Sequence, residues 1–248
     1  LRVFFESPAD LENRVNEDGY AALEEFVTKV LGELPEDIEL EVKFGHPVDD
    51  VVRVAHFDEM IEIVVAGTTG HSRLHNAIFG STVGRIIREC DKPVMVVPVG
   101  VKDEPVRTIL VPADMSGCSA RALHSAAALG KASGARVLAF SAIATPPITP
   151  YYPVAPPPNP NLMDNITTKR TEQIQKAVDA LHADAVIEVI PTENVVSIED
   201  AIFEKADKYG ADLICMGTHG RTGVERAILG STAERVIRST KLPVLIIP

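Results

Sequence analysis

Residues 216–232 read MGTHGRTGVERAILGST and follow the apolar run ADLIC at 211–215. An apolar run, then spaced glycines, then the pattern AERVIRST describes a buried strand that opens into a loop and continues as a helix. Residues 66–82 read AGTTGHSRLHNAIFGST. In both stretches a glycine is followed by two residues, a second glycine, nine residues and Gly-Ser-Thr. The offset between the copies is constant, since 216 − 66 = 150 and 248 − 98 = 150. Gly67, Thr68, Gly70, Gly80, Ser81, Thr82, Arg85, Pro93 and Pro98 all recur at that offset. A repeat of this length is a duplicated domain rather than a short solenoid unit.

The second copy reads outward from that stretch as one α/β domain. TILVP (108–112) is a strand, and SARALHSAAALGKASG (119–134) is a helix of small residues closed by Gly134. ARVLAF (135–140) is a second strand. Ile174, Ala177, Val178 and Leu181 recur at helical spacing within 166–182. AVIEVI (185–190) alternates like a strand. Ser197 with Asp200 resembles a capping box ahead of a helix that ends at Gly210. DLICM, the glycine segment, AERVIRST and PVLIIP complete the series. Strands that alternate with helices predict a mostly parallel sheet covered on both faces.

The first copy matches only from its second strand onward. LRVFFES (1–7) pairs in pattern with ARVLAFS. A helix over 18–31 carries Leu23, Phe26, Val27, Val30 and Leu31. A strand IELEVKF, a helix from Pro47, a strand IEIVVA, the glycine segment and PVMVVP follow. Nothing corresponds to 107–134, so the first repeat is expected to lack its first strand and helix, about 30 residues scaled from the second. The expected domains are 1–99 and 106–248. One further irregularity is ATPPITPYYPVAPPPNPNLMDN (144–165). Proline stiffens such a segment and denies it ladder hydrogen bonds. It reads either as a mobile surface loop or as a lid or docking segment that uses Tyr151 and Tyr152.

The formal net charge is −11, which disfavours a nucleic-acid partner. No apolar run approaches the roughly 20 residues of a membrane span. The first residues lack a secretory core. Three cysteines without metal-ligand spacing fit a reducing cytoplasm and read as inert buried thiols.

The glycine segment lies where open parallel sheets bind ligands, beyond the carboxyl ends of the strands. Gly217 and Gly220 allow close backbone approach. Gly230, Ser231 and Thr232 lead into a helix whose first amides lack internal partners, an anion site that suits phosphate. Arg221 and His219 add positive charge weakly. The plainer reading makes Ser231 or Thr232 a helix cap and the glycines turn formers. There is no Gly-Lys-Ser/Thr and no GxGxxG, which disfavours a P-loop motor and a dinucleotide fold.

The Gly-(two)-Gly-(nine)-Gly-Ser/Thr spacing, Pro-Ala-Asp at the end of the first strand (VPADMS) and the terminal PVLIIP together resemble the universal stress protein family, in its tandem-domain, ATP-binding form. The resemblance covers nearly the whole chain apart from the proline-rich insert. It implies two doubly wound, five-stranded parallel sheets, Rossmann-like and adenine nucleotide alpha hydrolase-like, in the order 3-2-1-4-5. It implies a cytoplasmic stress-response regulator that binds ATP or AMP, with or without Mg2+. Asp114 would contact the nucleoside, or else only cap the helix near Ser116. Ser141 would offer backbone groups to the adenine edge, and Met216 and Gly217 would line the ribose. Gly220, Gly230, Ser231 and Thr232 would hold the phosphates. The matching residues of the first repeat are Ala66, Gly67, Gly70, Gly80, Ser81 and Thr82.

Neither glycine loop supplies a carboxylate at matching positions, and a hydrolase needs a positioned base. His71, His75 and His219 remain candidates for proton transfer or phosphate contact. Binding with at most slow hydrolysis is expected. A slow ATP hydrolase and a nucleotide-independent interaction module are the alternatives. In the order above the fifth strand is an edge, and an apolar edge invites pairing. An internal pseudo-dimer through PVMVVP and PVLIIP is therefore expected, alongside a protein partner and a homodimer as a further assembly.

Overall fold

The structure is a computed structural model. It describes residues 8–43, 45–68, 81–144, 160–181, 185–191, 193–220 and 229–248. The chain divides into two units, 1–50 and 51–248.

In the first unit, helix α1 (Pro8–Leu31) precedes the start of α2 (Pro47–Phe57). The helix over 18–31 is present but begins earlier. Its expected apolar face is only partly used, because Phe26, Val30 and Leu31 are exposed. Residues 38–43, expected as a strand, form none. A strand's amides and carbonyls need a neighbouring ladder, and no described residue provides one there. LRVFFES lies outside the described residues.

In the second unit, β1 (Val64–Gly67), α3 (Ser81–Glu89) and β2 (Val94–Val97) come from the first repeat. The second repeat supplies β3 (Thr108–Pro112), α4 (Gly117–Ser133), β4 (Arg136–Phe140), β5 (Ala142–Ala144) and α5 (Pro160–Ala180). It continues through β6 (Ile187–Val189), β7 (Glu193–Val195), α6 (Ile198–Tyr209), β8 (Leu213–Gly217), α7 (Ser231–Ser239) and β9 (Val244–Ile247). Seven strands form one sheet in the order β1-β2-β9-β8-β3-β4-β6. Counted within the second repeat, that order is 5-4-1-2-3, the doubly wound arrangement that the family resemblance implied. Every pair is parallel except one. The terminal strands of the two repeats, β2 and β9, run antiparallel, with Val94 opposite Ile246 and Val96 opposite Val244.

Strands covered on both faces should read as continuous apolar runs. Ile109, Leu110 and Val111 of β3 are completely buried, as are Leu213, Ile214 and Cys215 of β8. The small residues of α4 let it lie close to the sheet. A Cβ at Gly130 would sit 2.8 Å from the carbonyl oxygen of Ala135, so this helix position tolerates no side chain. Gly134 and Gly210 end α4 and α6 at φ 73° and 60°, where glycine avoids the left-handed penalty. Ser197 caps α6 by accepting the Asp200 amide at 3.1 Å.

Two short strands escaped the sequence reading. β5 and β7 form a separate parallel pair, with Ile143 opposite Asn194. Helix α5 starts at Pro160, inside the proline-rich stretch. Tyr151 and Tyr152 lie outside the described residues. No helix among the described residues is long and apolar enough to cross a membrane.

Candidate functional site

β3 and β8 are neighbours, yet the chain leaves them in opposite directions, to β4 on one side and β9 on the other. Such a reversal opens a crevice at the carboxyl ends of the two strands. A cavity of ≈ 200 Å³ occupies it. That volume encloses part of a nucleotide-sized ligand and leaves the remainder at its mouth.

Asp114 enters the cavity wall from the end of β3. Its Oδ1 accepts the amide of Ser116 at 3.0 Å. Its carbonyl accepts from Nη1 of Arg170, on α5, at 3.0 Å. The cap of α4 is Ser116, which accepts the Ser119 amide at 3.1 Å. Asp114 therefore does not cap the helix itself but closes the turn in front of it. Met115, between the two, has φ 69°, the only positive φ of a non-glycine residue among the described residues. Backbone held in a sparsely populated region is concentrated at functional sites.

Met216, Gly217, Thr218, His219 and Gly220 line the cavity from the end of β8. A side chain at each of the glycines here would meet an atom of the protein itself, backbone at Gly217 and Gly230 and a side-chain tip at Gly220. A Cβ at Gly217 would stand 2.6 Å from Cβ of Cys118, so this residue lets α4 touch the strand. At Gly220 it would stand 2.7 Å from Oδ2 of Asp114. At Gly230 it would stand 2.9 Å from the carbonyl oxygen of Thr218. That carbonyl accepts the Gly230 amide at 2.8 Å, and this bond docks the start of α7 onto the loop.

Gly230 is the N-cap of α7, in extended conformation and with no side-chain hydrogen bond to the helix. Neither Ser231 nor Thr232 is the cap. Both line the cavity, followed by Ala233. Asp114 is the only carboxylate among the described lining residues, and no Lys or Arg is among them. An anion at α7 would be held by backbone amides and hydroxyls, at the positive end of the helix dipole. His219 contributes an unusual group. Its Nδ1 lies 2.9 Å from Oγ1 of Thr218, and its Nε2 is buried without a hydrogen-bond partner among the described residues.

The structure thus brings Asp114, Met216, Gly217, Gly220, Gly230, Ser231 and Thr232 to one cavity. Ser141 is buried, at 2% exposure, and is not in the lining; its neighbour Ala142 is. The reason is that the chain does not stop at Ser141 but continues as β5. In the first repeat Gly67 ends β1 and Ser81 and Thr82 begin α3. Gly70, Gly80, His71, His75 and Arg221 lie outside the described residues. Sequence reasoning missed Ile198 and Ile202, which wall the cavity from α6. Their helical spacing with Ala201 marks them as core, and nothing local distinguishes a cavity wall from core. It also missed Arg170, which lies well away from any motif.

Burial pushes the Cys215 thiol up to about 12. Cys90 is also raised, chiefly by burial.

A family model for the universal stress protein family matches residues 3–98 and 105–248. Universal stress protein MJ0531 of Methanocaldococcus jannaschii is 32% identical over 142 residues, 57% of this chain and 81% of that protein. Universal stress protein Mb2028c of Mycobacterium bovis is 25% identical over 215 residues, 84% of this chain and 68% of that protein. A universal stress protein structure from Archaeoglobus fulgidus superposes with a TM-score of 0.68 at 21% identity, covering 99% of this chain and 83% of that one. On the span of the family match and the reversal of strand order at this cavity, the chain belongs to the universal stress protein family.

Proposed function

We propose that the second repeat binds an adenine nucleotide, ATP or AMP, with or without Mg2+, as a regulatory ligand of a cytoplasmic stress-response protein. The observation that carries this reading is the convergence on one cavity of Asp114, the β8 loop and the uncapped start of α7. An apolar wall of Met216, Ile198 and Ile202 suits a base, and the helix start suits phosphate. Asp114 suits the hydroxyls of the sugar or the exocyclic amine of the base, since an ionised carboxylate only accepts. The β2–β9 pairing reads as an internal pseudo-dimer, in which one chain provides both halves of a two-fold assembly.

Two measurements test the reading. Mass spectrometry of small molecules released from freshly purified protein should find an adenine nucleotide. Calorimetry should find that Ser231→Ala weakens ATP by roughly 0.5–1.5 kcal/mol, or up to ~3 if the hydroxyl meets charged phosphate. A chain that carries no nucleotide, and whose melting temperature ATP leaves unmoved, would support the nucleotide-independent module instead.

A further inference from the structure

We infer that Arg170 is a positioning residue for the nucleoside end of this site, and that through it α5 sets the affinity for nucleotide. The inference rests on the nucleotide reading above. Arg170 is absent from the described cavity lining, so it acts through another group. That group is the peptide between Asp114 and Met115. Its carbonyl accepts from the Arg170 guanidinium at 3.0 Å, and a charged donor makes the stronger kind of hydrogen bond. The rotation of the same peptide plane sets φ of Met115, which stands at 69°. Residues with a side chain seldom adopt that value. Without a tether on the carbonyl, the peptide is free to turn towards commoner conformations.

Turning it would move the carboxylate as well. Oδ1 is bonded to the Ser116 amide, one residue past Met115. Oδ2 faces Gly220, where a Cβ would stand 2.7 Å away. Arg170 is itself firmly based. Ile174, one helical turn on, is completely buried, which fixes α5 against the core. The helix that holds Arg170 begins at Pro160, within the proline-rich stretch 144–165.

The test uses the full chain with Arg170→Gln and Arg170→Lys. Calorimetry gives Kd for ATP, adenosine and inorganic triphosphate, and the ligand-free melting temperature is measured alongside. Arg170→Gln should weaken ATP and adenosine by about tenfold or more, and leave inorganic triphosphate unchanged. Arg170→Lys, which keeps a charged donor, should recover part of the loss. Combined with Asp114→Ala, Arg170→Gln should add little, because the two act as one unit. Unchanged affinity for ATP and adenosine in Arg170→Gln overturns the inference while the nucleotide reading stands. Equal losses for triphosphate and ATP, with a lowered melting temperature, overturn it too, since Arg170 is then merely structural. If Arg170→Gln does not fold, the lysine variant decides by the same comparison. A wild-type chain that binds neither ATP nor adenosine overturns the nucleotide reading itself.

Discussion

Gly217 and Gly220 lie three positions apart yet should fail differently when a side chain is added. At Gly217 the obstacle is Cβ and backbone of Cys118, at 2.6 and 2.9 Å, in a helix that cannot retreat from a packed sheet. Gly217→Ala should destabilise the ligand-free protein by about 1–3 kcal/mol, read as a fall in melting temperature. At Gly220 the obstacle is the tip of the Asp114 side chain, which can swing aside at small cost. Gly220→Val should keep most of the stability but lose ATP, because the carboxylate that turns away belongs to the site. The reverse pattern would refute this assignment. The thiols separate in the same manner. Cys118 is partly exposed, whereas Cys90 and Cys215 are buried. A thiol reagent at pH 8 should therefore label Cys118 alone until the chain unfolds. The glycine spacing was legible in the sequence because a duplicated pattern stands out by itself. What each glycine touches was not, since Cys118 and Asp114 reach the loop only through the fold.

Helix ends were legible for a related reason: capping is local chemistry. Ser197, Gly134 and Gly210 occupy the places their residue types announced. Strands proved less legible where pairing is remote. Residues 38–43 have an alternating pattern but no ladder among the described residues, while β5 and β7 are short and lack any pattern, yet pair. Ser197→Ala should cost about 1 kcal/mol, measurable by denaturant unfolding. One ion pair joins the two helices that frame the cavity. Glu199 on α6 accepts from Arg235 on α7 at 2.6 Å. Glu199 has its pKa lowered, first by a backbone hydrogen bond and then by Arg235. A lowered carboxyl pKa stabilises the fold above the ordinary glutamate value of 4.5 and ceases to do so as pH falls through the folded value. Glu199→Gln should accordingly flatten the stability curve below that pH and leave its slope above pH 7 unchanged. An acid limb identical to that of the wild type would refute the link.

At the scale of the whole sheet, one seam joins two unequal parts. Three residues of β2 face three of β9, whereas five residues of β3 pair with β4 at the centre of the second repeat, and β8 pairs with β3 on its other side. Protection from hydrogen exchange follows local stability. Amides of β3, β4 and β8 should exchange slowest, and those of β1, at the far end of the strand order with Val65 61% exposed, should exchange fastest. The sequence pointed to this seam through two proline-bracketed apolar strands, but antiparallel register depends on side chains from both repeats and cannot be read from either one. Val96 and Val244 face each other across it, at 1% and 0% exposure. Val96→Asp would place a carboxylate in that apolar contact without a partner, at a cost of several kcal/mol or an upward pKa shift. The variant should lose exchange protection in β1 and β2 first. Because the cavity proposed for the nucleotide is built at β3 and β8, with β9 between it and β2, ATP affinity should fall far less than stability. If β3 and β8 lose protection in step with β2, the sheet unfolds as one cooperative body and the seam is not its weak line.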